Sequence, residues 1–163
     1  MDVTALGNVF ALLGAALAVL LTGVGASIGM SWVQQAAAGV VTEQPHKFGK
    51  TLIFQLIPSS AALYGFVVGF LIFMTAVMDD VGYTYVEGLT LLAVCLPIGV
   101  VGLVSTLGQA KVAAAGIRML GRDERLMGKG IIMAVFIELF ALFALIIAVL
   151  TIFSIGGDAA VVY

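Results

Sequence analysis

Residues 130–150 read Gly130-Ile-Ile-Met-Ala-Val-Phe-Ile-Glu138-Leu-Phe-Ala-Leu-Phe-Ala-Leu-Ile-Ile-Ala-Val-Leu150, and this stretch decides the fold. A transmembrane helix needs about 20 apolar residues, and the stretch has that length with Glu138 as its one ionisable side chain. A carboxylate at the centre of a bilayer costs about 2.5–3.5 kcal/mol on insertion scales. Acids in such places usually carry protons, bind cations or pair with a buried base. A neutral Glu138 that only hydrogen-bonds a neighbouring helix is the structural alternative.

The composition is that of an integral membrane protein. Of the 163 residues, 63% are hydrophobic and 10% are charged, whereas soluble domains carry about 25% charged residues. The net charge of −2 and the lack of a basic block predict no nucleic-acid partner. Cys95 is the single cysteine, so neither a disulfide framework nor a Cys/His metal cluster is predicted. The opening Met1-Asp-Val-Thr4 has no basic region and argues against a cleaved signal peptide.

Four apolar segments are long enough to cross the hydrocarbon. They run from about residue 8 to 41, 50 to 78, 86 to 120 and 127 to 155. Helix is the only structure open to such segments, because every backbone polar group must be satisfied within the membrane. The predicted fold class is therefore an all-α membrane protein with four transmembrane helices.

The charged residues predict the orientation of these helices. The basic residues all belong to one end of the bundle: Lys47, Lys50, Lys111, Arg118, Arg122, Arg125 and Lys129. Five acids belong to the other end: Asp2, Asp79, Asp80, Glu87 and Asp158. Basic connections stay in the cytoplasm, so we expect both termini to lie outside the cell membrane.

The chain contains an internal repeat. The run Ala36-Ala-Ala-Gly-Val40 recurs as Ala113-Ala-Ala-Gly-Ile117, and Phe48-Gly-Lys-Thr-Leu-Ile53 recurs as Met127-Gly-Lys-Gly-Ile-Ile132. Repeats of this kind indicate duplicated structural units. We predict two tandem helical hairpins, residues 1–82 and 83–163. Only the second has the carboxylate, because Ser59 stands at the position equivalent to Glu138.

Small residues recur at three- and four-residue steps in the first and third segments. The stripes are Ala15, Ala18, Thr22, Gly25, Gly29, Ala36 and Gly39, and Gly102, Thr106, Gln109, Ala113 and Gly116. Small residues at this spacing let membrane helices approach closely. Packing within one monomer and the crowded inner wall of a homo-oligomeric ring both explain the stripes.

Several polar residues are predicted to lie at the depth of Glu138. At about 1.5 Å per residue, Glu138 and Gln109 are each about 15–17 Å from the cytoplasmic ends of their helices, which is halfway across the hydrocarbon. Ser60 has a similar depth in the second segment. One turn beyond it, Tyr64 can donate its hydroxyl to the carboxylate.

A proline next to Ser60 adds a backbone group to this set. Pro58 has no N–H and opens the hydrogen-bond ladder of its helix, which can free a carbonyl near Ile57. The candidate ion-binding residues are Glu138, Gln109, Ser60, Ile57 and Tyr64. Their hard oxygens suit a proton or a small cation, although each of the polar side chains can equally serve as a helix–helix hydrogen bond.

The chain resembles the rotor-ring proteolipids of V-type ATPases, in the form of the bacterial subunit K. The resemblance covers nearly the whole chain and is most specific at three places: Leu63-Tyr-Gly-Phe66, Gly108-Gln-Ala-Lys-Val-Ala-Ala-Ala-Gly116 and the helix of Glu138. It implies a ring of double hairpins that turns against a membrane stator subunit and carries H+ or Na+. It also implies that a central-stalk subunit docks on the cytoplasmic turns and that ATP hydrolysis or synthesis occurs in separate subunits. Apart from the transported ion, no cofactor is expected.

The resemblance assigns roles by position. Glu138 matches the essential carboxylate, Gln109 a ligand of the third helix, Ser60 a family hydroxyl and Ile57 a backbone carbonyl. If the ion is Na+, its side-chain ligands are Glu138, Gln109 and Ser60. This chain departs from the sodium-binding members at Ala61, where they have a glutamine, so one oxygen ligand is missing.

Two other functions remain open from the residues alone. A small four-helix proton-coupled multidrug exporter also uses a membrane glutamate, but normally in its first helix and beside a cavity of substrate size. A purely structural pore or junction protein does not need Glu138. No motif predicts an enzyme.

Overall fold

The computed structural model of this chain describes residues 3–78 and 82–159, and helices fill nearly all of that range. In chain order they are α1 (Val3–Glu43), α2 (Phe48–Leu56), α3 (Ser60–Phe73), α4 (Tyr85–Arg122) and α5 (Met127–Ala159). No strand occurs in these two ranges. The predicted all-α class is confirmed. The acids Asp2, Asp79 and Asp80, on which the orientation partly rests, lie outside the described residues.

The second apolar segment is one span made of several helical pieces. A 3₁₀ turn, Ile57–Ser59, joins α2 to α3, and a short π-helix, Met74–Met78, extends α3. The 3₁₀ turn contains Pro58, which cannot donate the backbone hydrogen bond that a continuous α-helix needs there. The span is therefore irregular beside the predicted site.

The helix ends follow from local sequence. Thr84 caps α4 through a reciprocal pair of bonds with Glu87: the Thr84 N–H donates to Glu87 Oε2 at 2.7 Å, and the Glu87 N–H donates to Thr84 Oγ1 at 3.4 Å. This capping box satisfies backbone donors that have no partner in a helix start. At the other end of α4, Asp123 is extended and accepts a hydrogen bond from the Arg125 N–H.

α1 and α4 form the most extensive helix–helix contact. They run in the same direction, since Gly14 lies against Leu92 and Gly29 against Thr106. A Cβ on Gly25 would lie 3.0 Å from the Leu103 Cα, and a Cβ on Gly29 would lie 3.3 Å from the Thr106 Cγ2. Thr106 is the residue that the internal repeat makes equivalent to Gly29, so the packing register follows the repeat. Gly25 and Gly29 of the first stripe thus serve packing between the two hairpins, as the tandem arrangement predicts, whereas a Cβ on Gly39 would meet nothing within 4 Å.

α5 packs against α4 through a second close approach. A Cβ on Gly130 would lie 3.0 Å from the Gly116 Cα and 3.1 Å from the Phe54 Cζ. Phe54 of α2 is fully buried and belongs to a core cluster with residues of α1, α4 and α5. The four spans therefore meet at this level.

The outer surface of the bundle is apolar. The large exposed side chains on α5 include Phe136, Phe140, Phe143, Ile147 and Phe153. Within the described residues, four helical spans are long and apolar enough to cross a membrane, and the second of them combines α2 and α3. Since exposed apolar surface of this extent suits lipid or further protein, the fold is that of an integral membrane protein. Which termini lie outside stays a prediction.

The two helical connections meet at one end of the bundle. The buried Lys47 Nζ donates to the Leu120 carbonyl at 2.9 Å and to the Gly121 carbonyl at 3.2 Å. An ammonium at this place suits the negative end of the α4 dipole. Glu124 also accepts a hydrogen bond from Lys50. The first connection is thereby fixed to the second.

Candidate functional site

Glu138 receives a hydrogen bond from the other hairpin. The Tyr64 hydroxyl of α3 donates to Glu138 Oε1 of α5. Both side chains are partly buried, and they come from the second span of each hairpin. The structure therefore brings together these two sequence-predicted residues by a direct bond.

Ser60 and Ile57 form a pair of their own. The Ser60 hydroxyl donates to the Ile57 carbonyl at 2.9 Å, and the Ser60 N–H donates to the same oxygen. The irregular turn at Pro58 occurs where the sequence predicts it. The carbonyl itself already accepts two local donors, so it is not an unpaired group. Ser60 lies one turn from Tyr64 on the same helix.

Gln109 lies at the level of Glu138. A Cβ on the preceding Gly108 would lie 3.7 Å from the Cγ2 of Ile137, the residue before Glu138. The Gln109 side chain is 1% exposed, and its Nε2 has no hydrogen-bond partner among the described residues. The structure places the amide at the predicted depth but does not join it to the carboxylate.

Three hydroxyl side chains near the site are not among the predicted site residues. Thr22 and Thr106 belong to the small-residue stripes, and Ser105 belongs to neither stripe. Thr22 donates to the Ala18 carbonyl at 2.8 Å, and Ser105 donates to the Gly102 carbonyl at 3.3 Å. Thr106 is fully buried, and its Oγ1 has no partner in the part of the chain that the structure describes. The sequence feature that could have identified Thr106 is its position one turn from Gln109 on the same helix.

The equivalent place in the first hairpin has a different chemistry. Ser59 donates to the carbonyl of Leu56 in its own helix at 2.6 Å. Trp32, which stands at the position of Gln109 in the first repeat, lies under the Lys111 Nζ, 5.5 Å from the ring centroid. There is no carboxylate at either position.

The arrangement offers one carboxylate with a hydroxyl donor, an amide and an irregular backbone turn nearby. Within residues 3–78 and 82–159, no three His, Cys, Asp or Glu side chains cluster as a transition-metal site would require. Oxygen ligands of this kind suit a proton or a hard cation.

The fold defines the class of protein first: a four-span integral membrane protein built from a duplicated hairpin. The family model for the ATP synthase C subunit matches residues 13–72 and again residues 92–151. The starts of the two matches are as far apart as Phe48 and Met127, which begin the second pair of repeated runs. The chain therefore belongs to the ATP synthase C subunit family.

Individual relatives agree with this family. The V-type sodium ATPase subunit K of Enterococcus hirae is 42% identical over 148 residues, which cover 91% of this chain and 93% of the relative. The A-type ATP synthase subunit K of Methanocaldococcus jannaschii is 36% identical over 84% of this chain and 59% of its own length. The human V-type proton ATPase 16 kDa proteolipid is 28% identical over 86% of this chain and 89% of its own length.

Proposed function

We propose that this chain is the proteolipid of the membrane rotor ring of a V-type ATPase and carries H+ or Na+ across the membrane. The observation that carries the proposal is the Glu138 carboxylate, near the middle of an apolar helix and bonded by Tyr64 from the other hairpin. The chain itself is non-catalytic, and ATP hydrolysis or synthesis belongs to other subunits. We place the division between the hairpins at residues 82 and 83.

The site residues divide the work of binding and release. Glu138 takes up and gives up the ion, and the hydroxyl of Tyr64 stabilises its carboxylate. Gln109 supplies an amide oxygen. Ser60 and the Ile57 carbonyl supply further oxygens after the Ser60 hydroxyl turns away from its local bond of 2.9 Å. A rotation about one side-chain bond thus opens two ligands.

The partners follow from the surface of the bundle. The apolar outer faces suit neighbouring copies in a homo-oligomeric ring, lipid, and a stator membrane subunit that meets α5 near Glu138. A central-stalk subunit docks at the end that holds the connections. A groove of about 930 Å³ between α1 and α4 opens at this end, and Lys111, Arg118 and Arg122 line it.

The coupling ion depends on the number of oxygens that the site supplies. A dehydrated Na+ needs several oxygens in place of its hydration shell, and Ala61 offers none at the position where the sodium-binding members have a glutamine. A proton needs only the carboxylate and a partner such as Tyr64. Counting Glu138, Gln109 and Ser60 alone therefore favours H+.

Labelling with a hydrophobic carbodiimide tests the site. The reagent partitions into the apolar interior of the membrane, so we expect Glu138 to be modified and the acids at the helix ends, Glu43 and Glu87, to be spared. Modification confined to the loop acids Asp79, Asp80 or Glu87, at the opposite end of the bundle from the connections, contradicts the assignment. A sodium titration at fixed pH then separates the ions, because bound Na+ keeps Glu138 ionised and slows the labelling while K+ does not.

The particle mass in detergent separates a rotor from an exporter. A ring of many copies supports the rotor, while a dimer supports the multidrug exporter. The match of both hairpins to the same family model favours the ring.

A further inference from the structure

Two polar atoms in the interior of the bundle have no partner among the described residues. They are Thr106 Oγ1 and Gln109 Nε2, on side chains that are 0% and 1% exposed. Both residues belong to α4 and are three positions apart, so their side chains are neighbours on the helix surface. A buried donor or acceptor without a partner is unfavourable and usually has an explanation such as an ion or an ordered water.

The neighbouring hydroxyls show that Thr106 differs from its surroundings. Thr22 and Ser105 both satisfy their hydroxyls on the carbonyls of their own helices. Thr106 does not, although a helical threonine commonly has that option. Its methyl group is the part that faces Gly29 of α1, since a Cβ there would lie 3.3 Å from Thr106 Cγ2. The hydroxyl is thus left for another neighbour.

Thr106 lies in the same layer of the bundle as Ala61. Thr22 fills the space between α3 and α4: a Cβ on Gly65 would collide with its Oγ1, and a Cβ on Gly102 would lie 2.5 Å from its Cγ2. One turn nearer to the connections, on the same helix faces, stand Ala61 on α3 and Thr106 on α4. Both are buried, at 2% and 0% exposure.

This layer also reaches the candidate ion site. Gln109 lies one turn from Thr106, and the contact of Gly108 with Ile137 sets Gln109 level with Glu138. The count of oxygens that favours H+ leaves Thr106 out. An oxygen absent from α3 at Ala61 is therefore matched by an unused hydroxyl on α4.

We propose that Thr106 and Gln109 hold one buried water, which serves as the Na+ ligand that Ala61 does not provide. The Gln109 Nε2 donates to the water, the water donates one hydrogen to Thr106 Oγ1, and a lone pair of its oxygen points to the cation. Three polar partners are typical of buried water. Gln109 Oε1 remains available as a direct ligand. Thr106 is thus a positioning residue for Na+, and the inference rests on the proposed role of Glu138 as the ion carrier.

The test is carbodiimide labelling of Glu138 in the purified ring, measured against Na+ concentration at fixed pH. Thr106→Val keeps the shape and removes the hydroxyl, and Thr106→Ser keeps the hydroxyl. Ser105→Ala is the matched control, because it removes a buried hydroxyl that bonds its own helix. We expect the Na+ concentration for half protection to rise about tenfold or more in Thr106→Val, as for other residues that position ligands. In Thr106→Ser and Ser105→Ala, the Na+ concentration for half protection should stay close to that of the wild-type ring.

A second variant distinguishes the loss of the Na+ ligand from a general loss of structure in Thr106→Val. Ala61→Gln places a side-chain oxygen at the missing position, so it should strengthen Na+ protection by itself and restore it in combination with Thr106→Val. Recovery in the double variant supports the proposal even if Thr106→Val assembles poorly.

Two results overturn the proposal. One is that Na+ protects Glu138 from labelling equally well in Thr106→Val and in the wild-type ring. The other is that Na+ does not protect Glu138 in the wild-type ring at all. In the second case, if the labelling of Glu138 responds to pH alone, the proposed rotor function stands with H+ as the ion. If Glu138 is not labelled under any condition, the proposed function itself is contradicted.

Discussion

The two hairpins share one plan but differ in their chemistry at mid-membrane. Each consists of a long first helix with small residues and a second apolar span, and the same family model matches both. At equivalent positions the first hairpin has Ser59 where the second has Glu138. Likewise Tyr64 of the first hairpin corresponds to Phe143 of the second, whose ring is 60% exposed on the outer surface.

At the site proposed around Glu138, the first hairpin is therefore a partner and not a spare copy. It contributes the Tyr64 hydroxyl, which bonds Glu138 of the second hairpin. The reciprocal arrangement is absent, because Ser59 has no ionisable group at the position of Glu138 and Phe143 has no hydroxyl at the position of Tyr64. A duplication followed by specialisation of this kind leaves one carboxylate for every four membrane helices.

The largest effect is expected where the hairpins differ most. Glu138→Gln should abolish ion transport by the assembled complex while the protein still inserts and forms rings, because the amide keeps the shape but cannot exchange charge. ATP-driven ion uptake into vesicles measures this. Ser59→Ala is the matched control at the equivalent position, since its hydroxyl bonds its own helix. Normal pumping by a ring made of Glu138→Gln subunits excludes Glu138 as the ion carrier.

Removing the contribution of the first hairpin should have a smaller effect. Tyr64→Phe takes away a hydrogen bond to a charged group, which is worth about 1.5–3 kcal/mol, so we expect transport to fall about tenfold without being abolished. Tyr85→Phe is the control, because Tyr85 is exposed and its ring packs edge-on against Phe10 at the edge of the bundle. Equal transport rates in the two variants would mean that Tyr64 is a packing residue.

The sequence predicts the four spans well because a membrane span requires a minimum apolar length. The third segment, predicted at about residues 86–120, is α4 at Tyr85–Arg122. Depth is also predictable, since the rise per residue is constant, and counting along the helices correctly predicts that Tyr64 can reach Glu138.

What the sequence does not predict is the direction of each side chain. Depth places Ile57, Gln109 and Thr106 near the site but does not reveal that Ser60 already bonds the Ile57 carbonyl. Nor does it reveal that the Thr106 hydroxyl makes no hydrogen bond within the described residues. Such choices depend on the side-chain rotamers that the neighbouring helices permit. Lys47 is a similar case: the charge pattern assigns it to the cytoplasmic side, but only packing shows that it bonds the last carbonyls of α4.

The packing of the two hairpins also differs at equivalent glycine positions. Gly65 has no room for a Cβ because Thr22 fills that space, whereas the equivalent residue of the second hairpin is Ala144. Gly65→Ala should lower ring stability by about 1–3 kcal/mol per subunit, as overpacking does. The temperature at which the ring dissociates in detergent measures the loss. Gly49→Ala is the control in the same span, since nothing lies within 4 Å of its Cβ position. An equal loss in both variants would point to an effect of alanine itself.

The smallest effect is expected at the connections, where the hairpins are complementary rather than alike. The first provides His46 and Lys50, and the second provides Glu124, whose Oε1 is 3.6 Å from His46 Nε2. The hydrogen bond from Lys50 lowers the pKa of Glu124 below its ordinary value of 4.5. A carboxyl whose pKa is lower in the folded state stabilises the fold above its unfolded pKa and loses that contribution as the pH falls through the folded value.

Glu124→Gln should therefore lower the dissociation temperature slightly at pH 7, and the difference should vanish in strong acid. High salt should reduce it too, because the pair is open to solvent. Glu43→Gln, which removes an exposed acid from the same end of the bundle, is the control. If both variants follow the same pH curve, the connections are held by the Lys47 bonds to α4 and not by Glu124.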